Sequence, residues 1–550
     1  MPERERKFVF VVGGVISGVG KGVATSSIAA LLQSKDLRVT TVKIDPYINV
    51  DAGTMNPTEH GEVFVLDDGD ETDQDMGNYE RFLQTTLPRI NYMTTGRVYQ
   101  EVIRKERNLE YKGKNVEVVP DIPLEVIRRI ETAAEQADAN VTLIEVGGTI
   151  GEYQNVLFLE AARMMKLKRP HDIAIVMVSY LPIPSKVGEM KTKPTQHAAR
   201  ALNGVGLQAD VIIARAGQPL DEKRKEKISL LCGVPASNVI SAPDIESIYD
   251  APINYANDKL DDVLTGILYG KPITKQGDDL APWREFAKRR KAATKQVDIA
   301  VVGKYFSSGE FVLSDVYISV LEALKYSAYA QGATPRIHYL GSPNFEQGKT
   351  DLKELEQYDG ILVPGGFGST GVEGKINVIE YAREHKIPYF GICYGMQLAV
   401  VEFARHVLGW SDAHSAEVNP ETTHPIVDIM LEQKAHMAQN NFGGTMRLGA
   451  YPAELKEGSI AREAYSKAKI SERHRHRYEI NNKFIPKLEK AGLTFTGTSP
   501  DKQLMEIVEL PTNTHPFFVG CQFHPEFLAR PFAPHPLFSA FIAASLKRHK

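Results

Sequence analysis

Short apolar runs alternate with helical patterns over the first half of the chain. Phe8–Val12, Val39–Ile44, Val141–Val146, Ile173–Val178 and Val211–Ala214 have the length and unbroken hydrophobicity of strands buried on both faces. Val23–Gln33 and Leu124–Glu135 carry helical apolar spacing between them. Strand, helix, strand in this order predicts a parallel sheet covered on both sides. Residues 45–122 break the pattern, with few clear periods and many Gly, Asp and Asn. A stretch that long inside a domain is usually functional. A second series begins at Val297–Val302 and continues at Gly360–Pro364, Pro388–Ile392 and Phe517–Phe523. The helical pattern Gly395–Val407 follows the third of these directly. Between the two series, residues 271–296 are rich in charge with scattered apolar positions, and read as an interdomain linker with a partly helical segment. The expected fold is α/β throughout: a phosphate-loop-type parallel domain at 1–270, the linker 271–296, and a second α/β domain at 297–545. No internal repeat or low-complexity tract is visible.

A length of 550 residues also argues for more than one domain, and 43% apolar with 24% charged residues is the balance of a globular protein with ample core. Lys plus Arg number 65 and Asp plus Glu 69, a net charge of −4. That near-balance speaks against a general nucleic-acid binder, so any nucleotide site must be local. Three cysteines exclude a disulfide scaffold and suit a reducing cytoplasm. No run approaches the length of apolar residues that a membrane helix needs. The basic start PERERK before Phe8–Val12 imitates a short signal peptide, but the run stops at Gly13-Gly14. The expectation is a first strand entering a glycine-rich turn, in a cytoplasmic protein without a membrane or nucleic-acid partner.

That turn is Gly13-Gly14-Val15-Ile16-Ser17-Gly18-Val19-Gly20-Lys21-Gly22. Glycines let backbone N–H groups face a phosphate, the following helix adds its dipole, and Lys21 supplies a point charge to the outer phosphates. The standard spacing wants Gly at Val15 and Ser or Thr at Gly22; both differ, although the context of strand, turn, Lys and helix is right. Without a hydroxyl at Gly22, carboxylates must come from elsewhere to hold Mg²⁺. Glu145 closes a buried strand at its carboxyl end, where ligands of such sheets gather. Asp67–Asp75, with six acids in nine positions, is either a second source or a solvated acidic turn. Lys191-Thr192-Lys193-Pro194-Thr195-Gln196-His197, before a helix start, suits a second polyphosphate or is an exposed basic turn, and Lys186 could join either.

In the second domain, Phe390-Gly391-Ile392-Cys393-Tyr394-Gly395-Met396-Gln397 reads as strand, sharp turn and helix. Glycines two before and two after the cysteine permit the elbow that presents a nucleophile at a helix N-terminus, where the dipole favours the reactive thiolate. Gln522-Phe523-His524-Pro525-Glu526 ends another strand, and His524 and Glu526, two apart, point to one side. Cys393, His524 and Glu526 then make nucleophile, base and orienter. Pro364-Gly365-Gly366-Phe367-Gly368 offers backbone N–H groups for an oxyanion hole. Glu472-Arg473-His474-Arg475-His476-Arg477-Tyr478 alternates Arg and His, which in a strand puts the arginines on one face. A substrate-carboxylate site, an RNA contact and a solvated edge are its readings, and a His-x-His metal site has no evident third ligand.

Together these motifs resemble the CTP synthase family of glutamine-dependent (class I) amidotransferases. Long segments carry the likeness over nearly the whole chain: KIDPYINVDAGTM, HGEVFVLDDG, TTGRVYQEVIRKER, GEMKTKPTQH, GGTMRLGA, ERHRHRYEINN and CQFHPEF. The resemblance implies a ligase that aminates UTP to CTP with ATP, phosphorylating uracil O4 before ammonia displaces the phosphate. Cys393, His524 and Glu526 would hydrolyse L-glutamine to supply that ammonia through an internal tunnel, with His60 at the position of a gate; free ammonia would serve instead. Gly366, Tyr394, Gly395, Met396, Gln397, Glu417 and Arg477 match the family's glutamine positions, Arg477 on the α-carboxylate. Gly18, Val19, Gly20, Lys21, Gly22, Val23, Asp75 and Asp244 match ATP positions, and Asp75 and Glu145 match the Mg²⁺ ligands. Ser17, Glu152, Tyr153, Gln154, Lys191, Thr192, Lys193, Pro194, Thr195, Gln196 and Lys227 stand at the UTP and inhibitory CTP positions. The family also implies activation by GTP, a homotetramer and, in some members, filaments.

Three positions depart from the family pattern. Glu152-Tyr153-Gln154 replaces the common Asp-Ile-Glu in the region that contacts feedback CTP. Thr370 stands where an Arg is usual, near the region tied to GTP activation. Pro243 occupies an ATP-adjacent position that often carries Lys. Rival readings are another synthetase–glutaminase pair such as the cobyrinic acid amide synthetases, against which the 191–196 run and KIDPYINVDAGTM argue, and a nucleotide-driven switch or filament protein with a retired second domain, against which the intact Cys393, His524 and Glu526 argue.

Overall fold

The computed structural model describes residues 6–185, 188–275, 280–304, 307–308, 311–312, 314–430, 433 and 443–549; Lys186 lies outside them. The chain forms two compact units, Met1–Asp51 with Asn78–Ala287, and Ala52–Gly77 with Lys288–Lys550. Both are α/β.

In the first unit seven parallel strands follow one another across the sheet in the order Tyr92–Thr94, Val39–Asp45, Val141–Val146, Lys7–Gly13, Ile173–Tyr180, Val211–Ala216, Val239–Pro243. Every residue of Lys7–Gly13 is buried, which is why this central strand reads as an unbroken apolar run. Phe8, Phe10 and Val12 share a core with Val126 and Ile130 of the helix Val118–Gln136 and with Phe158, Met165 and Leu202. Lys21–Ser34 packs against the strands Val39–Asp45 and Val141–Val146. The five expected strands are present, extended by a residue or two at some ends. The two edge strands, three and five residues long, are too short for a hydrophobic period to register.

The helix Ala281–Ala292 falls in the charged stretch. Trp283 and Phe286 are buried, with the Trp283 ring 5.1 Å from that of Phe82 and the Phe286 ring 5.4 Å from that of Tyr249. Two aromatic anchors among the charges hold this part of the stretch as a packed helix.

The second unit is built on a nine-stranded mixed sheet. Ala333–Gly341, Lys295–Gly303, Gly360–Val363, Tyr389–Ile392 and Phe518–Cys521 are parallel. Met505–Glu509, Thr494–Thr498, Arg447–Leu455 and Lys469–His476 continue antiparallel. The antiparallel half carries buried charges, among them Glu506, Arg447 and Arg473, so its apolar pattern is broken. Ala52–Gly77 contributes a small hairpin, Val63–Val65 with Glu71–Asp73. Among the described residues no helix is long and apolar enough to cross a membrane.

Candidate active site

The strand Tyr389–Ile392 runs into Cys393, whose φ of 50° and ψ of −100° lie where residues with a Cβ rarely sit, and the helix Tyr394–His406 starts at once. The flanking glycines are needed for space. A Cβ on Gly391 would stand 2.7 Å from the carbonyl carbon of Gly395, and one on Gly395 would stand 2.1 Å from the carbonyl oxygen of Val363. The Cys393 N–H donates to the Cys521 carbonyl at 2.6 Å, tying the elbow to the neighbouring strand.

His524 follows that strand, and its Nδ1 is 2.7 Å from Glu526 Oε1. Both side chains are buried. Burial disfavours the charged imidazole, but Glu526 and Cys393 outweigh it and push His524 up to about 10. A Cβ on Gly365 would lie 2.8 Å from His524 Cε1 and 3.8 Å from Cys393 Cβ, so the loop, the thiol and the imidazole meet at one point. A cavity of 510 Å³ opens there, lined by Cys393, His524, Glu526, Gly366 and Arg477 together with Gly53–Met55 and Tyr317.

The other expected glutamine residues brace this wall. The Gly368 N–H donates to Glu417 Oε1 at 2.7 Å, and the Tyr394 hydroxyl donates to the Gly368 carbonyl at 2.9 Å. Burial raises Glu417 above the usual carboxylate range, against the pull of the Gly368 N–H and Lys304. Gln397 Nε2 donates to the Tyr478 carbonyl at 2.9 Å and to Gln522 Oε1 at 3.1 Å. Gly395 and Met396 are buried in the first turn of the helix Tyr394–His406.

The arginines do share a face. Arg473, fully buried, pairs with Asp67 at 2.5 Å, and Arg475 Nε pairs with Glu71 at 2.8 Å. Those partners belong to the acidic run 67–75, so Glu71, 2% exposed, is no solvated turn, and Arg473 is neither a solvated edge nor open to RNA. Arg477 Nη1 donates to Gln433 Oε1 at 2.7 Å and Thr445 Oγ1 at 2.9 Å and faces the cavity. His474 and His476 lie on the opposite side, Nδ1 to Nε2 2.9 Å apart, held neutral by burial and by Arg447. Exposed His60 ends the short helix Pro57–His60, whose Pro57 lines the cavity. Thr370 is exposed just beyond the glycine loop.

In the first unit, Val15 has a φ of 83°. The position at which the phosphate-loop pattern wants glycine thus takes a left-handed conformation, although a branched residue occupies it. Gly18 and Gly20 are left-handed as well, and Ser17 is exposed between them and Val15. Lys21 opens the helix Lys21–Ser34 and its Nζ donates to the Gly148 carbonyl at 2.8 Å, with Gly22 next in the first turn. Beside the loop a cavity of 330 Å³ is lined by Gly20, Val23, Arg215, Pro243, Asp244 and Tyr255. Arg215, at the carboxyl end of its strand, reaches the Val19 carbonyl at 3.2 Å and Asp244 at 2.9 Å. The sequence pattern did not single it out, although its place at a strand end was a usable signal.

Thr192 precedes the helix Lys193–Gly204; Pro194 is in its first turn, buried Thr195 accepts from Ser179 at 2.8 Å, and Gln196 donates to Thr192 at 3.0 Å. Lys191 pairs with Glu189 at 2.6 Å, and Lys227 adds to the positive field that lowers Glu189. Glu152 and Gln154 bond each other at 3.1 Å, and Tyr153 is 96% exposed. Glu145 is buried, one oxygen accepting from Lys43 at 2.9 Å and the other from the Tyr79 hydroxyl. Asp75 lies at the start of the helix Gln74–Leu83, its N–H donating to Asp73 at 2.9 Å. Both acids are oxygen donors of the kind Mg²⁺ takes, and a cation at Glu145 would compete with Lys43 for the same oxygen.

An elbow thiol beside a His–Glu pair and a glycine loop is the arrangement expected of a class I glutamine amidotransferase, and comparison with known families places the chain in that class. The class I glutamine amidotransferase family matches residues 312–544, and the CTP synthase N-terminus family matches residues 7–269. CTP synthase from Thermococcus gammatolerans is 48% identical over 98% of this chain and 99% of its own length. That from Halalkalibacterium halodurans is 46% identical over 98% and 99%. The glutaminase domain of Trypanosoma brucei CTPS with bound acivicin is 39% identical over 46% of this chain and 94% of its own, with a TM-score of 0.41. The chain belongs to the CTP synthase family, glutamine-hydrolysing C–N ligases.

Proposed function

We propose that this enzyme converts UTP to CTP, using ATP and nitrogen taken from L-glutamine. The observation that carries the glutamine half is the Cys393–His524–Glu526 cluster at the wall of the 510 Å³ cavity. The Cys393 thiolate attacks the side-chain amide carbon, and charge moves to the amide oxygen beside the Gly365–Gly368 loop. His524, held by Glu526, gives its proton to the departing nitrogen, so ammonia leaves and a thioester remains. Water, deprotonated by His524, then releases glutamate. Arg477 binds the α-carboxylate, and Gly366, the Tyr394–Gln397 turn and Glu417 shape the wall.

In the synthetase half, Gly18–Val23 and Lys21 take the ATP phosphates, and the cavity beside Asp244 takes the base. Ser17, Lys191–Gln196 and Lys227 take the UTP triphosphate, and Glu152–Gln154 take part in feedback by CTP. Asp75 and Glu145 would hold Mg²⁺, which screens phosphate charge when bound. Phosphorylating O4 of uracil turns a poor leaving group into phosphate, which ammonia displaces. The domain roles follow: amidoligase at 1–270, glutaminase at 297–545. The family resemblance points to a homotetramer, for which the exposed Ile103, Leu109, Val118 and Val119 are candidate contacts, and sedimentation would test it.

Replacing Cys393 by Ala tests the assignment. Glutamine-dependent CTP formation should vanish while ammonia-dependent formation remains; retention of the former removes Cys393 as nucleophile. With the parent enzyme, an ammonia-trapping dehydrogenase in solution should leave glutamine-dependent synthesis intact if ammonia passes internally, and should suppress it otherwise.

A further inference from the structure

Behind the glycine loop stands a lysine with no task in the scheme above. Lys375 lies in the first turns of the helix Val372–Glu384 and is 0% exposed. Its Nζ is buried and makes no hydrogen bond among the described residues. It stands 5.3 Å from the centroid of the Tyr394 ring and 3.6 Å from the point where a Cβ on Gly366 would lie. Gly366 lines the cavity, and Tyr394 follows the nucleophile. A buried ammonium without a carboxylate is costly, and an apolar side chain of that length would fill the space more cheaply.

Among the described residues, few charged groups face Lys375. Lys304, just past the strand Lys295–Gly303, repels it, and a negative Cys393 attracts it. Tyr394 offers its ring face. Glu417 is engaged by the Gly368 N–H and attracts Lys304. Burial first, then Lys304, lowers Lys375 to about 7, while Cys393 works the other way.

We propose that Lys375 is a positioning residue for glutamine hydrolysis, a buried ammonium behind the Gly365–Gly368 loop that favours negative charge on Cys393 and on the amide oxygen that receives it. Its influence reaches the reacting atoms through Gly366 and Tyr394, without contact. The proposal rests on Cys393 being the nucleophile.

Full-length Lys375→Met and Lys375→Gln enzymes test it, with Cys393→Ala alongside. Four quantities are read: kcat and KM for glutamine hydrolysis between pH about 6 and 9, the ratio of glutamine- to ammonia-dependent synthesis, thermal midpoints, and the rate of iodoacetamide alkylation at Cys393. In both variants kcat should fall about tenfold or more with KM nearly unchanged, since only charge in the reacting state is affected. Alkylation at pH 7 should slow, and the alkaline limb of the parent above about 7 should be missing. Lys375→Met should melt no lower than the parent, because an uncompensated charge has been removed. Variants within twofold of the parent at every pH, or a joint fall of kcat, ammonia-dependent rate and melting temperature, overturn the proposal. Glutamine hydrolysis surviving in Cys393→Ala overturns the nucleophile assignment instead.

Discussion

Glu526→Gln keeps the size of the side chain beside His524 and removes its charge. In the parent, His524 rises from its ordinary 6.5 to about 10 although burial opposes the charge. At about 1.4 kcal/mol per pKa unit, Glu526 and Cys393 together favour the imidazolium by about 5 kcal/mol beyond the burial cost. If Glu526 supplies half, its loss costs about 2–3 kcal/mol, or about a hundredfold in rate. The amide also presents a donor or an acceptor where only an acceptor suits Nδ1–H, so disorientation adds to the loss. The expected fall in kcat/KM for glutamine is about 10²–10³, measured as glutamate release, with ammonia-dependent synthesis as the folding control. A variant within about fivefold of the parent would refute the role of Glu526. The sign of the pH effect also follows. A folded-state value above the unfolded one stabilises fully below pH about 6.5, and this contribution is lost as pH climbs through about 10. The melting difference between parent and Glu526→Gln should therefore narrow at alkaline pH.

Arg215→Ala should raise KM for ATP about tenfold while that for UTP changes less, because Arg215 ties the Val19 carbonyl to Asp244 beside the cavity; steady-state kinetics with each nucleotide varied would show it, and an unchanged KM for ATP would reject that placement. Gly395→Ala should cost about 2–4 kcal/mol in denaturant unfolding, because the new Cβ meets the Val363 carbonyl at 2.1 Å and backbone must move.

The parts of the molecule legible in the sequence were those whose cause is local. A strand buried on both faces writes itself as an apolar run, and the elbow at Cys393 writes itself as glycines that the packing at Val363 demands. The strand, turn and helix at residues 7–34 were legible even where the phosphate-loop spelling failed, and Val15 has the positive φ expected of the missing glycine. What stayed hidden depends on partners far along the chain. The acids at Asp67 and Glu71 look like a solvated or metal-binding run until Arg473 and Arg475 are seen to neutralise them. Lys375 sits in a helix start of ordinary composition, and only its burial behind Gly366 marks it.

The salt bridge between Asp67 and Arg473 spans 406 positions. During synthesis at about 5–20 residues per second, the hairpin leaves the ribosome tens of seconds before the strand it must neutralise. The same separation warns against cutting the glutaminase out at residue 297. Such a fragment would keep Arg473 and Arg475 but lose the two acids that pair with them.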